Sequence, residues 1–140
     1  MKHPDPYRAF RFRVDIDQIQ SGGFQSVSGL ERECQIEAYR EGGVNDYEHQ
    51  FVTLTKYPPL ILKRGLVDAS LWEWHKEVIN GNVVRNEITV VLFDETGEEA
   101  WKWIFCEAFP SKWTGAELDA TANNVATESV EFVHHGMRDE

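Results

Sequence analysis

Near the start of the chain, Arg11, Arg13, Asp15 and Asp17 alternate with Phe10, Phe12, Val14 and Ile16. Two carboxylates this close could divide general acid–base work, as in the hydrolysis of a glycosidic bond. That chemistry needs carboxyls in contrasting environments on opposite sides of a cleft. Asp15 and Asp17 are instead neighbours on one wet strand face beside two arginines, which reads as solvated surface charge. A hydrolase built from them and the histidines would need distant groups to converge in one cleft. His134-His135 invites a metal reading, but successive strand residues point to opposite faces, so the pair does not close on one ion. His3, His49 and His75 are scattered. His75 falls on the apolar side of a helical pattern, the usual place of a hydrogen-bonded core histidine.

Other signatures are equally thin. Ser26-Val27-Ser28-Gly29 lies in a strand pattern with no helix behind it, so it is no nucleophile elbow. Gly22-Gly23 and Gly42-Gly43 lack the Gly-Lys-Ser/Thr that completes a phosphate cradle. Trp101-Lys102-Trp103 could stack nucleobases, although core packing is the commoner use of such aromatics. Cys34 and Cys106 are far apart and no Cys-x-x-Cys occurs, which favours two reduced, mostly buried thiols. No catalytic, cofactor or metal set emerges, and the chain reads as a non-enzyme.

The 140 residues, 41% hydrophobic and 27% charged, suit a single domain spanning 1–140 that needs neither disulfide nor metal. Acidic residues number 24 against 14 basic, a net charge of −10, which argues against a tight grip on nucleic-acid phosphates. A wall that a polyanion slides past stays compatible with it. Apolar runs such as Val90-Val91-Leu92-Phe93 are too short to span a bilayer, so no membrane insertion is expected. Met1 to Pro6 has no apolar leader core, so cytoplasmic synthesis is the expectation.

The elements that would position these residues are mostly strands. Phe10 to Ile19 alternates as a half-buried strand with Arg11, Arg13, Asp15 and Asp17 on the wet face. Ser21-Gly22-Gly23 predicts a hairpin turn to a long strand from Phe24 to Tyr39, bent at Gly29. Residues 40–57 read as a long, partly ordered hairpin or loop, a length usually kept for function. After Pro58-Pro59 comes a short strand over Leu60 to Gly65. Ser70 to Asn80 predicts a helix with Ser70 and Glu73 as a capping box; Leu71, Trp74, His75 and Val78 share a face, and Gly81 stops it. Further strands are predicted over 85–93, over 99–109 with Pro110 ending it, and over 127–134, with a turn at Asp94-Glu95-Thr96-Gly97. The fold class is mainly β: an antiparallel β-sandwich or small barrel of six to seven strands, one α-helix and a long extended loop. The aromatic content also allows a small-ligand-binding β-barrel.

Ordered fragments of the chain resemble one family. Asp5-Pro6-Tyr7-Arg8 with the strand after it, Gly23-Phe24-Gln25-Ser26-Val27-Ser28-Gly29-Leu30, Tyr39-Arg40-Glu41-Gly42-Gly43, Leu62-Lys63-Arg64-Gly65, Leu71-Trp72-Glu73-Trp74 and Trp113-Thr114-Gly115 follow the order seen in contractile tail tube proteins of myoviruses. That family includes inner tubes of extracellular contractile injection systems and tailocins. The resemblance implies a structural subunit of six-membered rings that stack into a hollow tube inside a sheath. It implies contacts with the sheath, with baseplate or spike and terminal cap proteins, and with DNA or protein cargo that is not bound tightly. Assembly would occur in the cytoplasm, and the product would be a virion tail or a released particle. By position, residues 40–57 become the inter-ring stacking loop, with Arg40, Glu41, Gly42, Gly43, Val44, Asn45, Asp46, Tyr47, Phe51 and Tyr57 as interface residues. In place of the family's Pro-Gly turn stands His49-Gln50-Phe51-Val52-Thr53-Leu54-Thr55. Arg11, Arg13, Asp15 and Asp17 are the candidate lumen face, with the second and fifth strands equally eligible.

Overall fold

The structure is a computed structural model that describes residues 11–19, 23–39, 49–122 and 125–139. In chain order the elements are β1 (Phe12–Ile16), β2 (Phe24–Ser28), β3 (Glu33–Tyr39), β4 (His49–Lys56), β5 (Leu60–Gly65), α1 (Ser70–Ile79), β6 (Asn86–Phe93), β7 (Glu99–Gly115), β8 (Thr127–Val133) and β9 (Met137–Arg138). Strands pair in the order β1-β6-β7-β8-β5-β2, with β9 beside β7, while β3 and β4 form a separate two-stranded ribbon. All pairings are antiparallel. Among the described residues the fold is therefore mainly β with one helix, as expected, and the sheet is open rather than a closed barrel.

The long strand β7 joins two layers. Residues 99–108 pair with β6, and residues 109–115 pair with β8. Two irregularities bend it between those duties. An extra residue is accommodated between Phe105 and Ala108, where Glu107 takes φ 55°. A second shift falls between Pro110 and Lys112. This corrects the expectation that Pro110 ends the strand. Proline has no N–H to give a ladder, but a bulge leaves that donor unneeded and the strand passes through.

The inward rows of both layers fill the space between them. Val14, Val90 and Trp103 align across one layer, as do Ile16, Ile88 and Phe105; Leu60 and Phe132 align across the other. These residues belong to one apolar cluster that also takes Leu71 and Trp74 from α1. Burying each large side chain contributes about 1.5–3 kcal/mol. The helix lies against β7: Trp72 packs edge-on to Trp113 at 4.9 Å, and Trp74 meets Phe132 at 5.4 Å.

Several local expectations are revised. No β1–β2 hairpin forms, because β1 pairs with β6 and β2 with β5, at opposite ends of the strand order. β1 stops at Ile16, where Gln18 at φ 62° turns the chain and Ile19 bridges back to Ile16. Phe10 and Ser21-Gly22 lie outside the described residues. The expected strand from Phe24 to Tyr39 is two strands that leave one sheet for another at Gly29, which has φ 89°. A Cβ there would sit 2.1 Å from the Pro59 carbonyl oxygen, so the close crossing of these two segments demands glycine. Ser70 does not cap α1. Ala69 is the N-cap, and the Asp68 carboxylate accepts from the Ser70 N–H at 2.9 Å. At the other end Gly81, with φ 93°, donates to the Val78 carbonyl while Asn82 donates to that of Glu77. That pair of bonds is a Schellman arrangement, and the helix stops at this glycine as expected.

Candidate interaction surfaces

The β3–β4 ribbon is the most unusual feature of the surface. Its register sets Ile36 opposite Val52 on one face and Glu37 opposite Phe51 on the other. Both faces thus carry apolar side chains, and Ile36, Phe51, Val52 and Leu54 are all more than half exposed. An isolated two-stranded ribbon is marginal in water, and apolar strands without cover recruit other chains. Among the anticipated interface residues, Phe51 lies on this ribbon. Tyr57 turns toward the body instead, half-buried, with its ring 5.4 Å from that of His134. Arg40, Glu41, Gly42, Gly43, Val44, Asn45, Asp46 and Tyr47 lie outside the described residues. Cys34, expected to be buried, is exposed on β3, because a ribbon without a core has no interior to hide it; Cys106 is half-buried, and both thiols are free.

Arg11, Arg13, Asp15 and Asp17 all face solvent along β1, as the alternation predicts. Arg13 donates to Asp15 at 2.9 Å, approaches Glu99 at 3.8 Å and lies over the Phe93 ring at 5.4 Å. The same outer face carries Arg138 paired with Glu87 at 3.1 Å. It is a mixed-charge mat laid over Val91 and Ile104, not a cleft. Asp15 is thus engaged by an arginine on an open strand, and among the described residues no histidine joins it. His134 is buried between Tyr57 and Phe105, while His135 faces the opposite way and accepts from Arg85 at 3.1 Å. His75 is half-buried on α1. Among the described residues no three metal-ligating side chains gather.

A second polar face begins on the second strand, already eligible as a lumen face, and extends across partners that the sequence reading did not join to it. On the outside of β2, β5, β8 and the last part of β7, Ser26, Lys63, Ser129 and Thr114 stand in one cross-strand row, and Ser28, Ile61, Glu131 and Lys112 in the next. The opposite face of these strands carries Leu60, Leu62, Val130 and Phe132, all with no exposure. The signal was present in the alternation of Leu62, Lys63 and Arg64, but Arg64 also looks polar and masks it. Arg64 is in fact buried. Its Nε donates to Glu128 at 3.0 Å, and its terminal nitrogen donates to Asp68 at 3.0 Å and Ser70 at 3.1 Å. Trp113 donates to the other Glu128 oxygen at 2.8 Å. The guanidinium also lies 5.2 Å over the Phe24 ring. Hydrogen bonding by Ser70, more than the nearby Arg64, holds the Asp68 carboxyl below its ordinary range. The network ties β2, β5, β7, β8 and the start of α1 together.

Two edges of this four-strand layer carry no described partner strand: β2 on one side and residues 109–115 of β7 on the other. A cleft of about 530 Å³, lined by Arg11, Phe12, Phe24, Gln25, Phe93 and Gly97, separates the β1 and β2 edges. Of the aromatic residues that could have furnished a ligand barrel, Phe105 is fully buried, and Trp101 stacks on Trp103 at 5.9 Å while remaining about half exposed.

Comparison with known proteins bears on these surfaces. A family model described as T4-like virus tail tube protein gp19 matches residues 8–138. No curated protein matches the sequence significantly. Among solved structures, a chain of the sheath–tube complex of the extracellular contractile injection system PVC in the extended state is 25% identical, with TM-score 0.83 over 96% of this chain and 93% of that one. A chain of the anti-feeding prophage baseplate, six-fold symmetrised, is 26% identical, with TM-score 0.79 over 99% and 96%. Hcp1 from Flavobacterium johnsoniae shares the fold at 16% identity, with TM-score 0.59 over 94% and 100%.

Proposed function

Because this chain belongs to the T4-like virus tail tube protein family, we propose that it is the repeating subunit of a hollow inner tube, a structural protein without catalysis. Residues 1–140 act as one tail-tube domain. Six copies form a ring, and rings stack inside a contractile sheath, between a baseplate or spike and a terminal cap. The particle assembles in the cytoplasm and ends as a virion tail or a released injection device. The observation that carries the reading is the β3–β4 ribbon, a structured extension with apolar side chains on both faces and no core of its own. Its strand β4 and the adjoining Tyr57 fall within the stacking loop over 40–57, with Arg40, Glu41, Gly42, Gly43, Val44, Asn45, Asp46, Tyr47 and Phe51 as contact residues and Tyr57 anchoring its base, while β3 precedes that loop and pairs with it.

A ring also needs lateral joints and a wall. The open edges of β2 and β7 supply the joints, since an unpaired strand edge is satisfied by another strand. Two outer faces can serve as the wall: the mat of Arg11, Arg13, Asp15 and Asp17, and the row of Ser26, Lys63, Ser129 and Thr114. Support for the second is continuity, because its strands run without a break between the two open edges. With a net charge of −10, either wall lets DNA or protein cargo pass without tight binding, and the subunit itself does not enter a membrane.

The test removes the ribbon. Replacing residues 33–56 by a short glycine–serine linker leaves the apolar cluster intact, since none of its members lies there. The expected product is a folded subunit by circular dichroism that no longer grows tubes under electron microscopy. Normal tube growth by this variant sinks the stacking role of the ribbon.

A further inference from the structure

The ribbon needs a receptor, and its position in the fold narrows the choice. It leaves the body where β2 ends and β5 begins, at Ser28 and Leu60. At the far end of β5, Gly65 pairs with Thr127, and the Leu66 N–H donates to the Ala126 carbonyl at 2.9 Å. The two ends are separated by the length of β5, about 17 Å at 3.3–3.4 Å per residue. There Leu66, Val67, Leu118 and Val125 stand open to solvent, Leu118 at 83% and Val125 at 75%. Val125 lines a cleft of about 620 Å³ together with Lys63, Thr114, Ala116, Glu117 and Thr127; Leu118 follows Glu117 in the chain, and Leu66 is hydrogen-bonded to Ala126, the neighbour of Val125. Scattered single apolar residues need no explanation, but several brought together beside a cleft do.

We propose that Leu66, Val67, Leu118 and Val125, with the adjoining cleft, form the receptor for the β3–β4 ribbon of a second copy in the neighbouring ring. The proposal rests on the tube-subunit reading. Its physical argument is polarity. If two ribbons met each other, the contact would be self-complementary and growth would stop at a pair of rings. A donor at one end of a strand axis and a receptor at the other make a heterologous contact, which repeats without limit along that axis. The ribbon brings apolar side chains on both faces, so one face covers the patch while the other packs on a lateral neighbour of the same ring.

Val52→Cys and Val125→Cys are placed together in a full-length chain carrying Cys34→Ser and Cys106→Ala. Tubes are grown from it, with the baseplate partner present where nucleation requires one, and treated with a short bis-maleimide. The expected result on a denaturing gel is a ladder of covalent multimers reaching past six subunits, absent from either single-cysteine chain. Intact tubes without a ladder overturn the receptor assignment while the tube reading stands. A ladder that closes at the size of one ring also overturns it, because the ribbon then grips a lateral neighbour. A wild-type chain that grows no tubes with its partners removes the tube reading, and the receptor with it. Should the four-substitution chain fail to assemble, Val52→Asp and Val125→Lys give the same decision. Each alone abolishes tubes, and the receptor assignment requires that the double variant regain them; a double variant as inert as the singles refutes it. Both residues are exposed, so the melting temperature of the unassembled subunit is expected to stay unchanged.

Discussion

Arg64 shows what a charge costs once it is taken from water. Its guanidinium and the Glu128 carboxylate are both buried, and the pair is held in place by Asp68, Ser70 and, through Glu128, Trp113. Breaking such a pair from one side strands the other charge. Glu128→Ala should therefore cost about 3–5 kcal/mol, read from the denaturant midpoint. Replacing Arg64 and Glu128 together with apolar residues of similar volume should cost far less. His134 makes a different demand. Burial holds its imidazole below the ordinary value of 6.5, so the native state binds a proton less readily than the unfolded chain. Stability is then complete above about pH 6.5 and declines as pH falls below it, because the unfolded state gains the proton first. A series of urea midpoints from neutral to mildly acidic pH should show this slope, and His134→Phe should flatten it. Asp68 acts lower on the scale: its depressed carboxyl contributes stability that is lost as pH falls below its ordinary value of 3.8.

At the scale of elements, two glycines with similar backbones make contrasting predictions. Gly81 ends α1 at φ 93° with nothing near a would-be Cβ. Gly81→Ala should cost about 1 kcal/mol, the conformational term alone. Gly29 has φ 89° and also faces the Pro59 carbonyl at 2.1 Å from that position. Gly29→Ala should cost clearly more, because the crossing of the β2 and β5 ends must open; thermal melts of the two variants side by side check the order. These positions also show what could be read from the chain. The alternation of Phe12, Val14 and Ile16 with Arg11, Arg13, Asp15 and Asp17, the helical spacing of Leu71, Trp74 and Val78, and the stop at Gly81 are local signals, and they were legible. The bend at Gly29 was legible too, but not where the chain went afterwards. Strand partners are chosen by distant residues, so β1 beside β6 and β2 beside β5 had no local trace. Ser70 did not become the cap because its hydroxyl serves the Arg64–Asp68 network, which sequence spacing does not reveal, and Ala69 takes the N-cap position without a side-chain bond. Pro110 misled because the bulge that follows it in the ladder makes its missing N–H immaterial. In the candidate interface, Phe51 was placed by position in a family pattern, whereas the patch of Leu66 and Val125 becomes visible only when β5 and β8 are paired.

On the scale of the whole molecule, the subunit is an open curved sheet with more edges and apolar extensions than a solitary protein tolerates. Its charge has the opposite tendency. At −10 overall, copies repel one another at low ionic strength, so assembly should be favoured by moderate salt that screens them. Light scattering across a salt series should show tube growth rising from the lowest ionic strengths. The same charge predicts no measurable retention of free DNA by assembled tubes at physiological salt, in contrast to proteins that neutralise phosphates with clustered cations. Filter binding with end-labelled duplex checks this.

The course of β7 bears on how such an object withstands thrust. Under compression along a tube's length, a wall made of two separately threaded sheets would tend to slip one over the other. Here a single strand from Glu99 to Gly115 is laced to β6 along its first part and to β8 along its last. Sliding one layer past the other would have to unzip ladders on both sides of the same backbone at once. Such a load would fall on many hydrogen bonds in shear instead of on a hinge between layers.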